Sequence, residues 1–544
     1  MEPLSNGVRT TSSISRPLGV LVIVIILLGG SSLCFCGGGN IEPPEAEPDI
    51  RATVAIPTDI RGWDPHAHSS SVTESVLCNI YDYLIWKSPE GELEPALATS
   101  WERLDSKRWR LTLRDDVSWH DGAPFDSDDV VFTLKRLAAI GTREITPQYP
   151  HFRSIREVIP VEDFVVDIVT EYPDPAVPYR LSRKGSAIIP AHLFEGLRQE
   201  TSEEDPWEAF FDNPIGTGPY RPVTRIPDER IRLTSSPNYW RGPAAVTDIT
   251  FFVVPDSSDR SDLLTRNEVD IATNIGPNDW RDLQLSEMAR LVRRVTPKVL
   301  VLNPRLEPEY GTADAVIREA IELSIDAQYL VDDILAGAAT PTRTRVTPAS
   351  PGYHPDLYNS NIYNPAAARE MLEGYDSKDL SLQLLVPEHI HPELPQLAGA
   401  IARMMEEVGF EMTVDVKPWG EYLSQISEGN HPALYLSIET GSAHDCSLSF
   451  ELLAADDNYV HPTGFRDSSF NESLREATAE SNRQRRTRLF WDLAEYLARV
   501  RPNIPLLHLL SNHGVSTAID WTPRTDELLW MWPTVRKSAP SNNH

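Results

Sequence analysis

Hydrophobic and polar positions alternate with two different periods along the chain. Trp109, Leu111 and Leu113 interleave with Arg110, Thr112 and Arg114 after a polar turn at Asp105-Ser106-Lys107, which predicts the second strand of a β-hairpin. Asp126 with Asp129 three residues on reads as an N-cap and acidic first turn, and Val130, Val131, Leu134 and Leu137 continue it as a helical stripe. The clearest pattern runs from Leu380 to Glu439. Leu380 to Val386 reads as a strand; Leu394, Leu397, Ala398, Ile401, Met405 and Val408 form a helical face closed by Gly409; Phe410, Met412, Val414 and Val416 alternate as a strand again. A short helix from about Gly420 to Glu428 and a strand from Ala433 to Ile438 repeat the unit. The order β-α-β-α-β predicts an α/β fold with a parallel sheet and right-handed crossovers. Ligands of such sheets gather outside the carboxyl ends of the strands. Those ends carry Glu388-His389-Ile390-His391, then Pro418-Trp419, then Glu439 to Asp445.

The first forty residues have no such periodicity. Arg9 and Arg16 precede an unbroken apolar run from Leu18 to Leu28, followed by Gly29-Gly30-Ser31-Ser32-Leu33, the layout of a secretory signal. Cys34, Cys36 and three glycines follow, which suggests a cysteine to be lipidated ahead of a flexible tether; an uncleaved anchor from Leu18 to Cys36 is the alternative. Either reading holds the rest of the chain at a membrane surface, outside the cytoplasm. Acidic, Pro-rich Glu42 to Pro48 reads as a linker.

Composition narrows the function. The 544 residues carry 50 Lys plus Arg against 80 Asp plus Glu, a formal charge of -30, so nucleic acid and anionic lipid head groups are repelled. Beyond the signal only Cys78 and Cys446 remain, far apart and without metal-ligand spacing; they read as two buried thiols, with one long-range disulfide as the alternative. No metal or other cofactor is implied.

Several ordered blocks then resemble a known family. Trp63-Asp64-Pro65, Asn79 to Leu84, Glu94 to Glu102 and Leu113 to Gly122 are similar to successive signatures of the family 5 extracellular solute-binding proteins, the peptide/nickel receptors of ABC importers. Asn213 to Tyr220, Pro237-Asn238-Tyr239-Trp240, Glu268 to Ala272, Ala320 to Asp326 and Asn364 to Arg369 extend the resemblance to nearly the whole exported chain. It implies a two-lobed periplasmic-binding-protein fold of type II with an additional domain inserted in the first lobe, closing on a small solute about a hinge. Lobe one is then expected at 51–84, 205–295 and 503–544, the inserted domain at 85–204 and lobe two at 296–502, after a signal or lipoprotein segment at 1–36 and a linker at 37–50. The implied partners are an oligopeptide or similar solute and the permease and ATPase subunits, with the chain a monomer. An exported hydrolase is a second class, although no G-x-S-x-G or H-E-x-x-H occurs, and a ligand sensor without transport is a third.

Most of these blocks read physically as scaffold. His120-Asp121-Gly122 is a turn, Gly216 and Gly218 suit a sharp reversal, and Asn364-Pro365 with Gly374 frame a short helix. For binding, Trp419 reads as a wall of the pocket or as a core Trp under the Tyr422 helix, and Arg343 and Arg345 lie in a Pro/Thr-rich loop, facing solvent or clamping a carboxylate. Peptide-binding relatives carry an Asp-Tyr pair before an Asp-Pro, the first Asp receiving the peptide amine. Here the stretch is Gly441 to Cys446: Asp445 with His444 stands in the comparable place and the amine-binding pair is absent, an expectation against a zwitterionic peptide held by its amino terminus. Glu388, His389 and His391 read as a solvated or ligand-lining loop rather than a metal cluster.

Overall fold

A computed structural model describes residues 50–537, except 143–144, 195–209, 211–212, 348–349, 351, 389–390, 441–444 and 456–460. Cys34, Cys36, His389 and His444 lie outside the described residues. Among those described, an 11-stranded sheet runs through the protein. At one end Ser381–Pro387 lies between Glu411–Lys417 and Leu434–Thr440, parallel to both. Helices Leu394–Glu406 and Trp419–Ser427 make the two crossovers, so the expected β-α-β-α-β unit is present. Toward the other end Arg51–Ile56 pairs in parallel with Asp248–Val253 and Ile271–Ala272.

Two long strands join these halves. Ala289–Pro304 and Ile504–Ser516 are antiparallel neighbours, and their register shifts between Val295 and Val299. Pro297 lies in that gap, where an N–H is missing, and the Thr296 hydroxyl donates to the Leu509 carbonyl at 2.7 Å in place of a ladder bond. Separate cores back the halves: Val54, Ile56, Tyr81, Phe251 and Trp521 on the first, Leu300, Leu384, Ile401 and Leu436 on the second.

A smaller four-stranded antiparallel sheet, ordered Ala98–Arg103, Arg108–Leu113, Val165–Thr170 and Ile155–Glu162, has its own core. Helix Ser127–Leu137 covers it, started by the Asp126–Asp129 capping box, and buries Val130, Leu134 and Leu137. Leu181 and Ile188 of the same core flank the segment that carries Arg183 and Lys184. A further apolar cluster, around Phe450, Phe470 and Phe490, joins helices Cys446–Glu451, Ser468–Ala479 and Arg483–Val500. Cys78 and Cys446 are both buried thiols, not joined to each other.

Candidate functional site

The sequence blocks singled out above are wired to one another. Asp82 accepts hydrogen bonds from Thr217 Oγ1 at 3.1 Å, Tyr239 Oη at 3.1 Å and Trp240 Nε1 at 2.9 Å, which ties three blocks together; burial pushes its carboxyl up to about 6. Asp64 takes both ends of the Arg136 guanidinium at 2.8 and 2.7 Å, and His66 bridges Arg136 to the Ala187 carbonyl. Gly216 and Gly218 serve a close approach rather than a reversal requiring positive φ: a Cβ would stand 1.9 Å from the Ile80 carbonyl oxygen at Gly216 and 2.6 Å from it at Gly218. His120 fastens this segment, its Nε2–H donating to the Gly218 carbonyl at 2.9 Å while Nδ1 accepts from the Gly216 N–H at 3.2 Å. Burial pulls that imidazole down to about 4, so it is neutral and structural.

The open space lies at the carboxyl ends of the parallel strands of both halves. A cavity of about 140 Å³ is bounded by Pro57, Thr58, Ser69–Val72 and Asn274 on the first half and by Pro387, Trp419, Tyr422 and Ile438 on the second. Sharing Ser69, Trp419, Tyr422, Ser437 and Ile438, a second cavity of about 320 Å³ extends it to Gln148, His151, Arg183 and Lys184 beside the four-stranded unit. Together they form one cleft with unlike walls. Trp419 stacks on Tyr422 with ring centroids 5.4 Å apart, and Arg61 reaches across from the first half to 5.2 Å from the Trp419 ring.

Charge is arranged unevenly around this space. Glu439 lines the cleft, but Arg345 and Ser437 Oγ engage its carboxylate. Lys298, beside the register shift, pairs with Glu527 at 2.6 Å. His151 and His461 are held neutral, first by burial and then by nearby arginines. Arg183 and Lys184 differ: among the described residues neither meets a carboxylate within ion-pair distance. Arg183 donates to Gln148 Oε1 and the Lys184 carbonyl, and Lys184 Nζ donates to Ser71 Oγ at 2.7 Å. Burial pulls Lys184 down to about 8 and Arg183 to about 9, so both stay charged at neutral pH. The next residue fits the arrangement: Gly185 has φ +76, and a Cβ there would lie 2.3 Å from Gln148 Cδ, so glycine leaves the room in which Gln148 bonds both Arg183 and the His68 carbonyl.

Of the residues singled out from sequence, Trp419 lines the cleft. Asp445 does not. Its buried carboxylate caps helix Cys446–Glu451 through the Ser447 N–H at 2.9 Å and is gripped by Arg486 at 2.7 and 2.9 Å, which holds it below the usual carboxylate range against the opposing effect of burial. Arg343 points to Glu322 at 2.6 Å and to the Ala498 carbonyl, away from the cleft. Arg345 pairs with Glu439, which lines the cleft. Both arginines therefore have protein carboxylates where a ligand carboxylate was expected. Lys184, Arg183 and Gln148 were missed; the adjacent basic pair before a glycine is the one local sign of them, and only the fold brings Gln148 and Ser71 to it.

Three comparisons bear on this architecture. The model of the family described as bacterial extracellular solute-binding proteins, family 5 Middle, matches residues 92–459. The dipeptide-binding protein of Escherichia coli (strain K12) is 24% identical over 454 residues, 79% of this chain and 84% of that protein. The Helicobacter pylori protein DppA, solved with the peptide STSA, superimposes with a TM-score of 0.81 at 20% identity, covering 90% of this chain and 98% of its own. NikZ from Campylobacter jejuni, solved with Ni(L-His), gives a TM-score of 0.76 at 22% identity, covering 89% and 98%. These relatives thus include proteins named or solved with a dipeptide, the peptide STSA and Ni(L-His).

Proposed function

The chain belongs to the family 5 bacterial extracellular solute-binding proteins, and from that premise we propose that its cleft binds a peptide-like or other small solute for delivery to the permease and ATPase subunits of an ABC-type importer. It is a receptor and not an enzyme. One observation carries the site assignment: the cleft opens at the carboxyl ends of parallel strands in both halves of the sheet, with the two long strands running between them. Trp419 and Tyr422 form its apolar wall, and Ser69–Val72, Gln148 and Lys184 its polar one. The four-stranded unit is read as the domain inserted in lobe one at 85–204, lobe two as 296–502, and the register shift at Val295 to Val299 as the place where the lobes bend. Asp445 is reassigned from ligand to scaffold, and the absence of the Asp-Tyr pair with it supports a solute not held by a peptide amino terminus.

The same reading places the chain at the extracytoplasmic membrane face as a monomer, tethered by lipid on Cys34 or Cys36. Changing both cysteines to Ser is expected to release the protein into the soluble fraction; retention in the membrane at full length would establish the uncleaved anchor instead. The receptor role is tested by extracting small molecules from protein purified from its producing cells and adding them back in excess. The expected result is a raised melting temperature and quantitative recovery of unchanged solute. Product accumulating beyond the protein concentration would refute it.

A further inference from the structure

Resting on the cleft assignment above, we propose that the solute carries an acidic group, received by the Lys184 ammonium with Arg183 beside it. The overall charge of -30 argues against collecting anions, so a local departure is informative. Among the described residues lining the two cavities the one carboxylate, Glu439, is matched by Arg345. Three further carboxylates act on the basic pair through space without touching it: Glu74, which accepts from the Tyr83 hydroxyl and lies 3.4 Å from His68 Nε2, Glu451, which holds Arg180, and Glu527, which holds Lys298. Two adjacent cations thus face the cleft with only neutral partners, Gln148 and Ser71, and Arg183 Nε has no hydrogen-bond partner.

Desolvating a cation without an opposite charge is unfavourable, and a protein tolerates it where an incoming anion restores the balance. The depressed proton affinity of Lys184 is the signature of that imbalance. The positions are also built rather than incidental. Gly185 leaves space for Gln148, whose amide N–H₂ donates to the His68 carbonyl while its oxygen accepts from Arg183, so the pair is held against the cleft wall. Opposite lies the Trp419–Tyr422 stack. The solute class that satisfies both walls is an organic acid with an aromatic or apolar face, its acid toward Lys184 and its face toward Trp419.

The test uses two probes alike except for charge, N-acetyl-L-tryptophan and N-acetyl-L-tryptophanamide, titrated into the full-length protein by calorimetry at neutral pH. The acid is expected to bind about tenfold or more tighter than the amide, as a desolvated charge-assisted contact requires. Lys184→Met is expected to abolish that preference and Lys184→Arg to keep it. Equal affinity for acid and amide, or binding of neither, would overturn the acidic subsite, and no variant is needed to see it. Trp419→Ala separates the two layers of the argument. If both probes bind alike and both are lost in Trp419→Ala, the cleft assignment stands and the acidic subsite falls; if Trp419→Ala leaves both unchanged, both fall.

Discussion

Arg180 and Arg183 stand three residues apart in the same segment and meet opposite surroundings. Arg180 is fully buried where the four-stranded unit meets helix Cys446–Glu451: Nε donates to Asp174 at 2.7 Å, one terminal nitrogen to Glu451 at 2.6 Å and to the His151 carbonyl. Burial pulls its proton affinity down, yet Asp174 and Glu451 hold it above the ordinary arginine value. Arg183 undergoes the same desolvation without a carboxylate in reach and moves the other way, down to about 9. The contrast separates a charge that holds the molecule together from one left for a visitor. Completed buried pairs are structural, and here Asp445–Arg486 and Arg343–Glu322 belong with Arg180. A desolvated cation with neutral partners is where a ligand is to be sought.

Glu451→Gln takes from Arg180 one of its two carboxylates and leaves the Asp174 pair in place, so a loss of about 1.5–3 kcal/mol is expected, seen as a drop in melting temperature. Asp445→Ala falls in the same class: it strands Arg486 and removes a helix cap, so it should lower the melting temperature strongly while probe affinity measured on the remaining folded protein changes little. His120→Ala removes two hydrogen bonds from the Gly216–Gly218 segment and should cost about 1–3 kcal/mol without altering binding, measured by thermal melts and calorimetry.

Acid–base titration sharpens the other side. Lys184 faces Ser71 directly and feels Glu527, Lys298, Glu74 and Arg183 through space. Its folded value of about 8 lies below the ordinary 10.5, so acid affinity should decline by up to about tenfold per pH unit as pH rises above 8, with the amide probe unaffected. The sign for stability is opposite: the unfolded chain binds the extra proton between these two values, so Lys184 makes the unliganded protein more stable as pH rises from 8 toward 10.5. The smallest loss is that of Lys184→Met, which is expected to leave the unliganded melting temperature unchanged or raise it, since a desolvated charge is removed and no carboxylate loses its ion-pair partner.

The fold was written plainly in the sequence because its signals are local. The period-2 and period-3.6 runs between Leu380 and Glu439 set strands and helices that need no distant information, and the Asp126–Asp129 box caps its own helix. The binding wall was legible only where a local feature coincided with a strand end, as at Trp419. Asp445 and Arg343 misled because charge in a loop does not reveal whether a partner waits 41 residues away at Arg486 or 21 residues away at Glu322. Conversely, what makes Lys184 available is that among the described residues no carboxylate touches it after Ser71, Gln148 and Gly185 have come together across 113 residues, a property of the assembled cleft alone. Gly216 and Gly218 taught a similar lesson: the sequence marks them as special, and only the approach of the Ile80 carbonyl says why.

A crystal structure of the protein purified with the solute it collects in its producing cells tests the central claim most directly. The account predicts one unmodified small molecule between Trp419 and Lys184, an acidic oxygen within hydrogen-bond distance of Lys184 Nζ. A solute ordered elsewhere, such as in the roughly 230 Å³ cavity lined by Tyr149, Arg153, Glu171 and Arg475, with the Trp419 cleft empty, would contradict it.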